Sequence, residues 1–187
     1  MKTYNKERGD DAERRFVQCV LKLRPSAVIT KTDEYTDINE HIDYIISTIK
    51  VSGLTVDVKA RRYIKDLPNE GQHYTVLEIM NKKGQLGAVY GNAKYMAIES
   101  GNTNNEYCFV LIDRKKLVDI MLQLRIKEPE EDKKPFAEQY KRHTNKNTIN
   151  RLSRSWDRDN ECFHIDRLQI IAFKDIIKHS KIIFPNN

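Results

Sequence analysis

The stretch LTVDVKA at residues 54–60 alternates strictly between apolar and polar residues. Side chains of a strand point alternately to its two faces, so this period of two predicts a strand with one buried and one polar face. Asp57 and Lys59 are two residues apart and therefore share the polar face. The Asp57 carboxylate and the Lys59 amine are thus predicted to point together toward the polar side of this strand.

The residues just before this strand predict a second strand that pairs with it. The run HIDYIISTIK at 41–50 is rich in isoleucine, which favours a strand in so short a segment. Gly53 lies in the connection between the two runs, where a tight turn can require positive φ. The two runs are therefore predicted to form a β-hairpin, which folds Asp43 back toward Asp57.

The rest of the N-terminal two thirds predicts further helices and strands. A helical apolar spacing is found at 9–24 and again at 114–125, whereas apolar runs typical of strands occupy two other segments. The predicted order is a helix at 9–24, strands at 42–50, 54–60 and 73–81, a short helix within 89–100, a strand at 106–113 and a helix at 114–125. This order predicts an α/β fold with a mixed central sheet flanked by helices.

The C-terminal third is more polar and strongly basic. Residues 133–154 hold seven Lys and Arg side chains and one acid, and the whole chain has a net charge of +6. We expect one domain spanning 1–187, with a core at about 9–124 and a basic C-terminal extension at 125–187. One more strand or strand pair is predicted at 163–173, and a short helix follows it.

Composition narrows the partners and the compartment. A basic balance favours a polyanion such as DNA, although a soluble protein can also be basic without such a partner. The three cysteines are widely spaced and form no CxxC pair, which argues against a zinc ribbon or a disulfide framework. No run approaches the ~20 apolar residues of a membrane span, and we expect a cytoplasmic location without a membrane partner.

Asp43, Asp57 and Lys59 together suggest phosphodiester chemistry. Two carboxylates can hold Mg²⁺ through oxygen ligands, and the backbone carbonyl of Val58 could supply another oxygen. Such an ion polarises a phosphoryl oxygen and lowers the pKa of bound water. A nearby lysine can orient that water or offset charge in the transition state. The plain alternative is a surface ion pair between Asp57 and Lys59, worth about 0–1 kcal/mol.

The segment HIDYIISTIKVSGLTVDVKARR resembles the core motif of the PD-(D/E)XK nuclease superfamily, which includes restriction endonucleases and Holliday-junction resolvases. The pattern falls on Asp43, Asp57, Val58 and Lys59, with Ile42 where the motif has proline. The resemblance covers about residues 9–113. It implies a restriction-endonuclease-like αβββαβ core and cleavage that depends on Mg²⁺ or Mn²⁺. It also implies that a glutamate of the first helix, here Glu13, faces the site.

Further residues are candidates for metal or nucleic-acid contacts. Glu78 could face the same side as Asp57 and add a metal ligand, or it could be an ordinary polar residue on an exposed strand face. Cations downstream of the motif could contact phosphates, although a solvated segment would have the same composition. These candidate DNA-binding residues are Arg61, Arg62, Lys65, Lys94, Lys141, Arg142, Lys146, Arg151 and Arg154.

The expected function is that of a divalent-metal-dependent DNA endonuclease with Asp43, Asp57, Lys59 and Glu13 as catalytic residues. A second hypothesis is a catalytically inactive nuclease-like fold that acts as a nucleic-acid binding module. A third is a regulatory protein that binds another protein through its basic segment. Nucleases that cut both strands often pair, so a homodimer is also considered.

Overall fold

A computed structural model describes residues 2–60, 74–80, 86–101, 107–124, 143–144, 148–157 and 162–183. Predicted site residues at positions 61–73 and 125–142 and at 146 lie outside these ranges. Within the described ranges, none of the helices has both the length and the apolar character needed to span a bilayer.

The described chain forms two sheets and four helices. The helices are α1 (Lys2–Leu23), α2 (Glu34–Glu40), α3 (Arg114–Leu124) and α4 (Phe173–Ile177). The strands are β1 (Val28–Lys31), β2 (Tyr44–Ser47), β3 (Leu54–Lys59), β4 (Tyr74–Met80), β5 (Tyr95–Gly101), β6 (Tyr107–Asp113), β7 (His143–Thr144), β8 (Thr148–Asp157), β9 (Cys162–Ala172) and β10 (Lys181–Ile183). A 3₁₀ turn occupies Ala88–Tyr90.

The larger sheet has six strands in the order β1-β2-β3-β5-β6-β10. Strands β1, β2 and β3 pair antiparallel, as the predicted hairpin requires for β2 and β3. Strand β5 then pairs parallel to β3, and β6 pairs antiparallel to β5. The sheet is therefore mixed, and β3 lies near its centre with a partner strand on either side.

Helix α1 covers one face of this sheet. Phe16 of α1 is buried against Phe109 of β6, with ring centroids 5.3 Å apart. The apolar residues of β2 and β3, including Val56 and Val58, belong to the same core cluster. Arg15 of α1 adds a 2.7 Å ion pair to the buried Glu99 of β5. Helix α1 thus packs against the apolar face of β3 that the alternation of its residues predicts.

The opposite face of the sheet carries a second core. Met96 of β5 and Ile112 of β6 pack there with Leu117 of α3. Strands β4 and β9 belong to the second, four-stranded sheet of order β4-β9-β8-β7, and Leu77 and Ile171 bring that sheet into the same cluster. Asp57 and Lys59 pair with Met96 and Ile98 in the strand register, so they extend toward this second face.

Three sequence predictions differ from the structure. The short helix predicted within 89–100 is wrong, because this segment holds a 3₁₀ turn followed by strand β5. Strand β1 was not predicted. Helix α2 was not predicted either, since it lies within residues 31–41, a polar stretch that resembles a loop. Strand β4, predicted to follow β3 within one sheet, belongs to the four-stranded sheet instead.

The C-terminal region is integrated into the fold rather than appended to it. Strand β9, predicted at 163–173, pairs with β4 from the N-terminal core, and β10 completes the larger sheet beside β6. The polar segment also contains strand β8, which pairs with β9 over its whole length. Described residues on both sides of position 125 therefore contribute strands to both sheets.

Candidate active site

Asp43 is the residue before β2, and it lies opposite Asp57 when the register of β2 and β3 is continued by one residue. The Asp43 amide donates to the Val56 carbonyl at 3.0 Å, which continues the β2–β3 ladder to the residue before β2. The Asp43 carboxylate Oδ2 then accepts a 2.5 Å hydrogen bond from the Val58 amide. This side chain takes the place of the next backbone carbonyl, and it fixes Asp43 beside the middle of β3.

Asp57 is fully buried and lies between two cations. Arg114 Nη2 donates to Asp57 Oδ2 at 2.9 Å. Lys59 Nζ lies 2.7 Å from the other oxygen, Oδ1. That oxygen has no hydrogen bond of good geometry among the described residues, so the Lys59 contact is an ion pair by proximity. Lys59 keeps 33% of its side-chain surface exposed, and this makes it the accessible member of the group.

Arg114 organises the site and was not predicted from the sequence. It is the first residue of α3, it is 5% exposed, and it donates to the carbonyls of Ala88 and His41 as well as to Asp57. Gly91 is essential to this packing: a Cβ there would come within 2.9 Å of Arg114 Nη1 and 2.5 Å of His41 Cβ. One guanidinium thus ties together β3, the end of α2 and the 3₁₀ turn.

Burial and charge repulsion make Asp43 an unusual carboxyl group. Burial, followed by the negative charge of Asp57, raises the pKa of Asp43 to about 8. Lys59 and the Val58 amide act in the opposite direction, and a hydrogen bond with the Asp37 carboxyl raises the pKa further. Two carboxyl groups are therefore held close together at a place where one of them retains a proton at neutral pH.

The other ionisable groups of the site respond to the same environment. Burial by itself would lower the pKa of Lys59, but the charges of Asp57 and Asp43 outweigh burial and raise it. Burial lowers the pKa of His41, and the positive charge of Lys59 lowers it further. The two carboxyl charges thus favour the ammonium form of Lys59, whereas burial and the Lys59 charge favour the neutral form of the His41 imidazole.

Helix α2 supplies Asp37 and His41, which the sequence interpretation treated as loop. Asp33 begins the helix by accepting from the Thr36 amide at 2.8 Å, and His41 ends it in a left-handed conformation with φ 53°. The capping pattern Asp-x-x-Thr in this polar stretch was the available signal for the helix. The contacts of Asp37 with Asp43 depend on tertiary packing and leave no mark on the sequence.

Glu13 does not join the other predicted catalytic residues. It lies on α1, on the opposite face of the sheet, where it binds Lys31 Nζ at 2.8 Å and accepts from the Tyr44 hydroxyl at 3.2 Å. Tyr44 follows Asp43 in β2, and successive strand residues point to opposite faces. The sheet therefore separates Glu13 from Asp43 and Asp57.

The remaining predicted residues have different outcomes. Glu78 lies on β4, in the other sheet, and faces away from the side that carries the buried Leu77. Lys94 is exposed at the start of β5, where its amide donates to the Thr55 hydroxyl at 2.8 Å. Several basic candidates fall outside the residues or side chains that are described: Arg61, Arg62, Lys65, Lys141, Arg142, Lys146, Arg151 and Arg154.

Asp43 and Asp57 are the two predicted metal ligands that the structure brings together through their side chains. Among the residues that the structure describes, no three His, Cys, Asp or Glu side chains form a group that could hold a metal. Comparison of the chain with known protein families, curated proteins and solved structures finds no match. The function is therefore inferred from the chemistry of the site itself.

Proposed function

We propose that this protein is a divalent-metal-dependent nuclease that hydrolyses DNA phosphodiester bonds. The observation that carries the proposal is the placement of Asp43 opposite Asp57, with Lys59 2.7 Å from the Asp57 carboxylate. These are the residues on which the PD-(D/E)XK resemblance falls. The order α1, β1, α2, β2 and β3 supports the proposal in part, since it contains the helix and three strands that begin the αβββαβ core implied by the resemblance, with α2 inserted between β1 and β2.

The oxygen donors at this position suit Mg²⁺ or Mn²⁺. Asp57 Oδ1 is buried without a hydrogen bond of good geometry, and Asp43 lies close enough for its pKa to rise in response to the Asp57 charge. A hard cation between them would relieve that repulsion. The Val58 amide points to Asp43, and the carbonyl of an extended residue points to the same side as its amide. Asp43, Asp57 and the Val58 carbonyl would hold the ion, with water completing its coordination.

The bound ion would polarise the phosphoryl oxygen and lower the pKa of a water molecule. The protein's own side chains have separate tasks. Lys59 remains an ammonium because its pKa is raised, which suits it to offset charge on the phosphate rather than to accept a proton. Arg114 fixes Asp57 through Oδ2 and leaves Oδ1 directed to the Lys59 side.

The proposal is tested by the cleavage of plasmid and single-stranded DNA in about 5 mM Mg²⁺ or Mn²⁺. We expect Asp43→Asn and Lys59→Ala each to lower the rate by about 10²-fold or more. The controls Asp10→Asn and Lys22→Ala remove equal charges from exposed positions on α1 and should cut like the parent chain. Equal cleavage by the site variants and the parent, or no cleavage by the parent, would refute the proposed function.

A second function is supported by the cations that surround Asp57. Both oxygens of this carboxylate already lie within 3 Å of a basic nitrogen, 2.7 Å from Lys59 and 2.9 Å from Arg114, and these cations would compete with a metal ion. The alternative is a nuclease-like fold that binds nucleic acid without cleaving it. Calorimetric titration with Mn²⁺ separates the two functions. A nuclease should release a heat of Mn²⁺ binding that disappears in Asp43→Asn, whereas a binding module should give the same titration for the parent and the variant.

A further inference from the structure

A groove next to Arg114 has features that the metal chemistry does not use. It has a volume of about 760 Å³ and lies between residues 89–94 on one side and the first turns of α3 on the other. That volume falls within the range of about 300–1,000 Å³ typical of small-molecule pockets. A volume of this size could hold one nucleotide.

The floor and the rims of the groove differ in chemistry. Val89 and Ala93 are buried and Tyr90 and Val118 are half-buried, so the floor is apolar with one aromatic ring. Lys94 and Lys115 are exposed lining residues, one on each side. An apolar, partly aromatic floor below cations is the combination that binds a base and its phosphate in single-stranded nucleic acids.

The walls of the groove are held in place by backbone hydrogen bonds. The Arg114 amide donates to the Lys94 carbonyl at 2.9 Å, which joins the two sides directly. The Asn92 amide donates to the Glu40 carbonyl at 2.7 Å, and this bond fixes the first wall to α2. A preformed groove loses little conformational entropy when a ligand binds.

Arg114 connects the groove to the candidate active site. It lines the groove, and its Nη2 lies 2.9 Å from Asp57 Oδ2. Of the two acids that line the groove, Asp113 is already engaged, since its Oδ1 accepts from the amides of Lys115 and Lys116 at 3.0 and 3.2 Å. Asp119, the other acidic lining residue, is exposed.

We propose that this groove receives one unpaired nucleotide of the nucleic acid, with its base against Tyr90 and Val118 and its phosphate between Lys94 and Lys115. The proposal rests on the nuclease function and specifies its substrate as DNA with a single-stranded segment next to the cleavage site. A strand anchored in this groove would pass Arg114 on its way to Asp57.

Binding in EDTA tests the groove without cleavage. The probes are a fluorescein-labelled dT 12-mer and a blunt duplex of the same length, followed by anisotropy. We expect the single strand to bind about tenfold more tightly than the duplex. Lys94→Ala/Lys115→Ala should weaken single-strand binding about tenfold and reduce the slope of log K against log salt by about 0.7, since the one phosphate held between the two lysines contributes about 0.7 on a single strand.

Matched variants control for net charge and for general aromatic loss. Lys116→Ala/Lys178→Ala removes two exposed lysines outside the groove and should bind like the parent. Tyr90→Leu should reduce binding of dT 12-mer but not of an abasic 12-mer, whereas Tyr35→Leu, at a tyrosine 73% exposed on α2, should change neither. Asp119→Asn should tighten binding a few-fold by removing a like charge from the phosphate path.

The outcomes separate this proposal from the nuclease assignment. Equal losses in the two lysine pairs, or duplex binding as tight as single-strand binding, would overturn the groove and leave the metal site untouched. Groove-dependent binding by a parent chain that cuts no DNA would leave the groove in place and overturn the nuclease function.

Discussion

Asp43 is the residue whose environment conflicts most with its charge. It is buried beside another carboxyl group, and its pKa rises from 3.8 to about 8 because of burial and the charge of Asp57. A folded state that holds a proton more tightly than the unfolded state loses stability as the pH rises between the two pKa values. The native fold is therefore strained electrostatically at neutral pH, in the place where a cation would remove the strain.

Replacing Asp43 by asparagine should stabilise the metal-free protein in a pH-dependent way. Asparagine keeps an oxygen that can accept from the Val58 amide but carries no charge. Between about pH 4 and pH 8, Asp43 of the native parent keeps a proton that the unfolded chain has already released. The stability of the parent therefore falls as the pH rises through this window, and the asparagine variant lacks this loss.

Thermal unfolding in EDTA measures this difference. The midpoint of Asp43→Asn should exceed that of the parent by several degrees at pH 8.5, since about 1 kcal/mol corresponds to about 2–4 °C in a chain of this size. The gap should narrow toward pH 4. A gap that stays constant with pH would contradict the assignment of the titration to Asp43.

Arg114 presents the opposite situation, a buried cation whose partners compensate it. Its guanidinium binds Asp57 and the carbonyls of Ala88 and His41, so truncation removes one donor from each of these three groups. Breaking a buried ion pair by removing one partner costs about 3–5 kcal/mol. Lysine cannot restore the forked geometry, because it presents one point charge instead of a planar set of donors.

Urea unfolding should therefore show a loss of about 3–5 kcal/mol for Arg114→Ala. The double variant Arg114→Met/Asp57→Asn should lose less than the sum of the two single changes, with a coupling of about 1–3 kcal/mol. Lys116→Ala, two residues along the same helix and exposed, should stay within about 0.5 kcal/mol of the parent. Additive losses would show that Arg114 and Asp57 do not act as a pair.

At the level of elements, β3 was predictable because polar and apolar residues alternate along it, whereas β5 was not. Strand β3 shows its alternation because α1 covers one face while Asp57 and Lys59 occupy the other. Strand β5 lies between β3 and β6, and Met96, Ala97 and Ile98 are all buried, so the period of two disappears. Its alanine, methionine and glutamate favour helices by intrinsic propensity, and tertiary packing overrides that preference.

The site divides in the same way. Asp43, Asp57 and Lys59 could be grouped from the sequence because a hairpin brings nearby residues together. Arg114 is 57 residues from Asp57 along the chain, and Glu13 is placed by the side of the sheet on which α1 packs. Neither relation is encoded in a local sequence pattern. This explains why Arg114 was not predicted and why Glu13 was predicted on the wrong face of the sheet.

Gly87 and Gly9 offer a matched test of how closely the backbone at Gly87 approaches β4. A Cβ at Gly87 would lie 2.2 Å from the Glu78 carbonyl oxygen, whereas one at Gly9 in α1 would meet nothing within 4 Å. Gly87→Ala must displace backbone and should lower the unfolding free energy by about 1–3 kcal/mol. Gly9→Ala should raise it by about 0.5–1 kcal/mol through helix propensity. Chemical denaturation compares the two, and equal effects would disprove the close approach of Gly87 to β4.

In the whole molecule, one sheet separates two cores that have different consequences for function. The α1 side is closed by Phe16, Phe109 and the apolar faces of β2 and β3. The other side is closed mainly by β4, β9 and α3, and it leaves the end of β3 accessible near Lys59 and Arg114. Asp43 directly precedes β2, and Asp57 lies on β3, which has a partner strand on either side. We therefore expect ligand binding at these residues to be coupled to global unfolding.

That coupling predicts that a divalent cation stabilises the entire fold. A ligand that binds the native state alone adds RT ln(1 + [L]/Kd), or about 1.4 kcal/mol at tenfold excess over Kd. The midpoint of thermal unfolding should then rise by about 3–6 °C in Mn²⁺ or Mg²⁺. Asp43→Asn should lose this increment while keeping its higher midpoint in EDTA, since the same change removes the ligand and the repulsion. An equal cation response in parent and variant would place the ion elsewhere on the protein, and the two carboxyl groups would then be a structural pair held by Lys59 and Arg114.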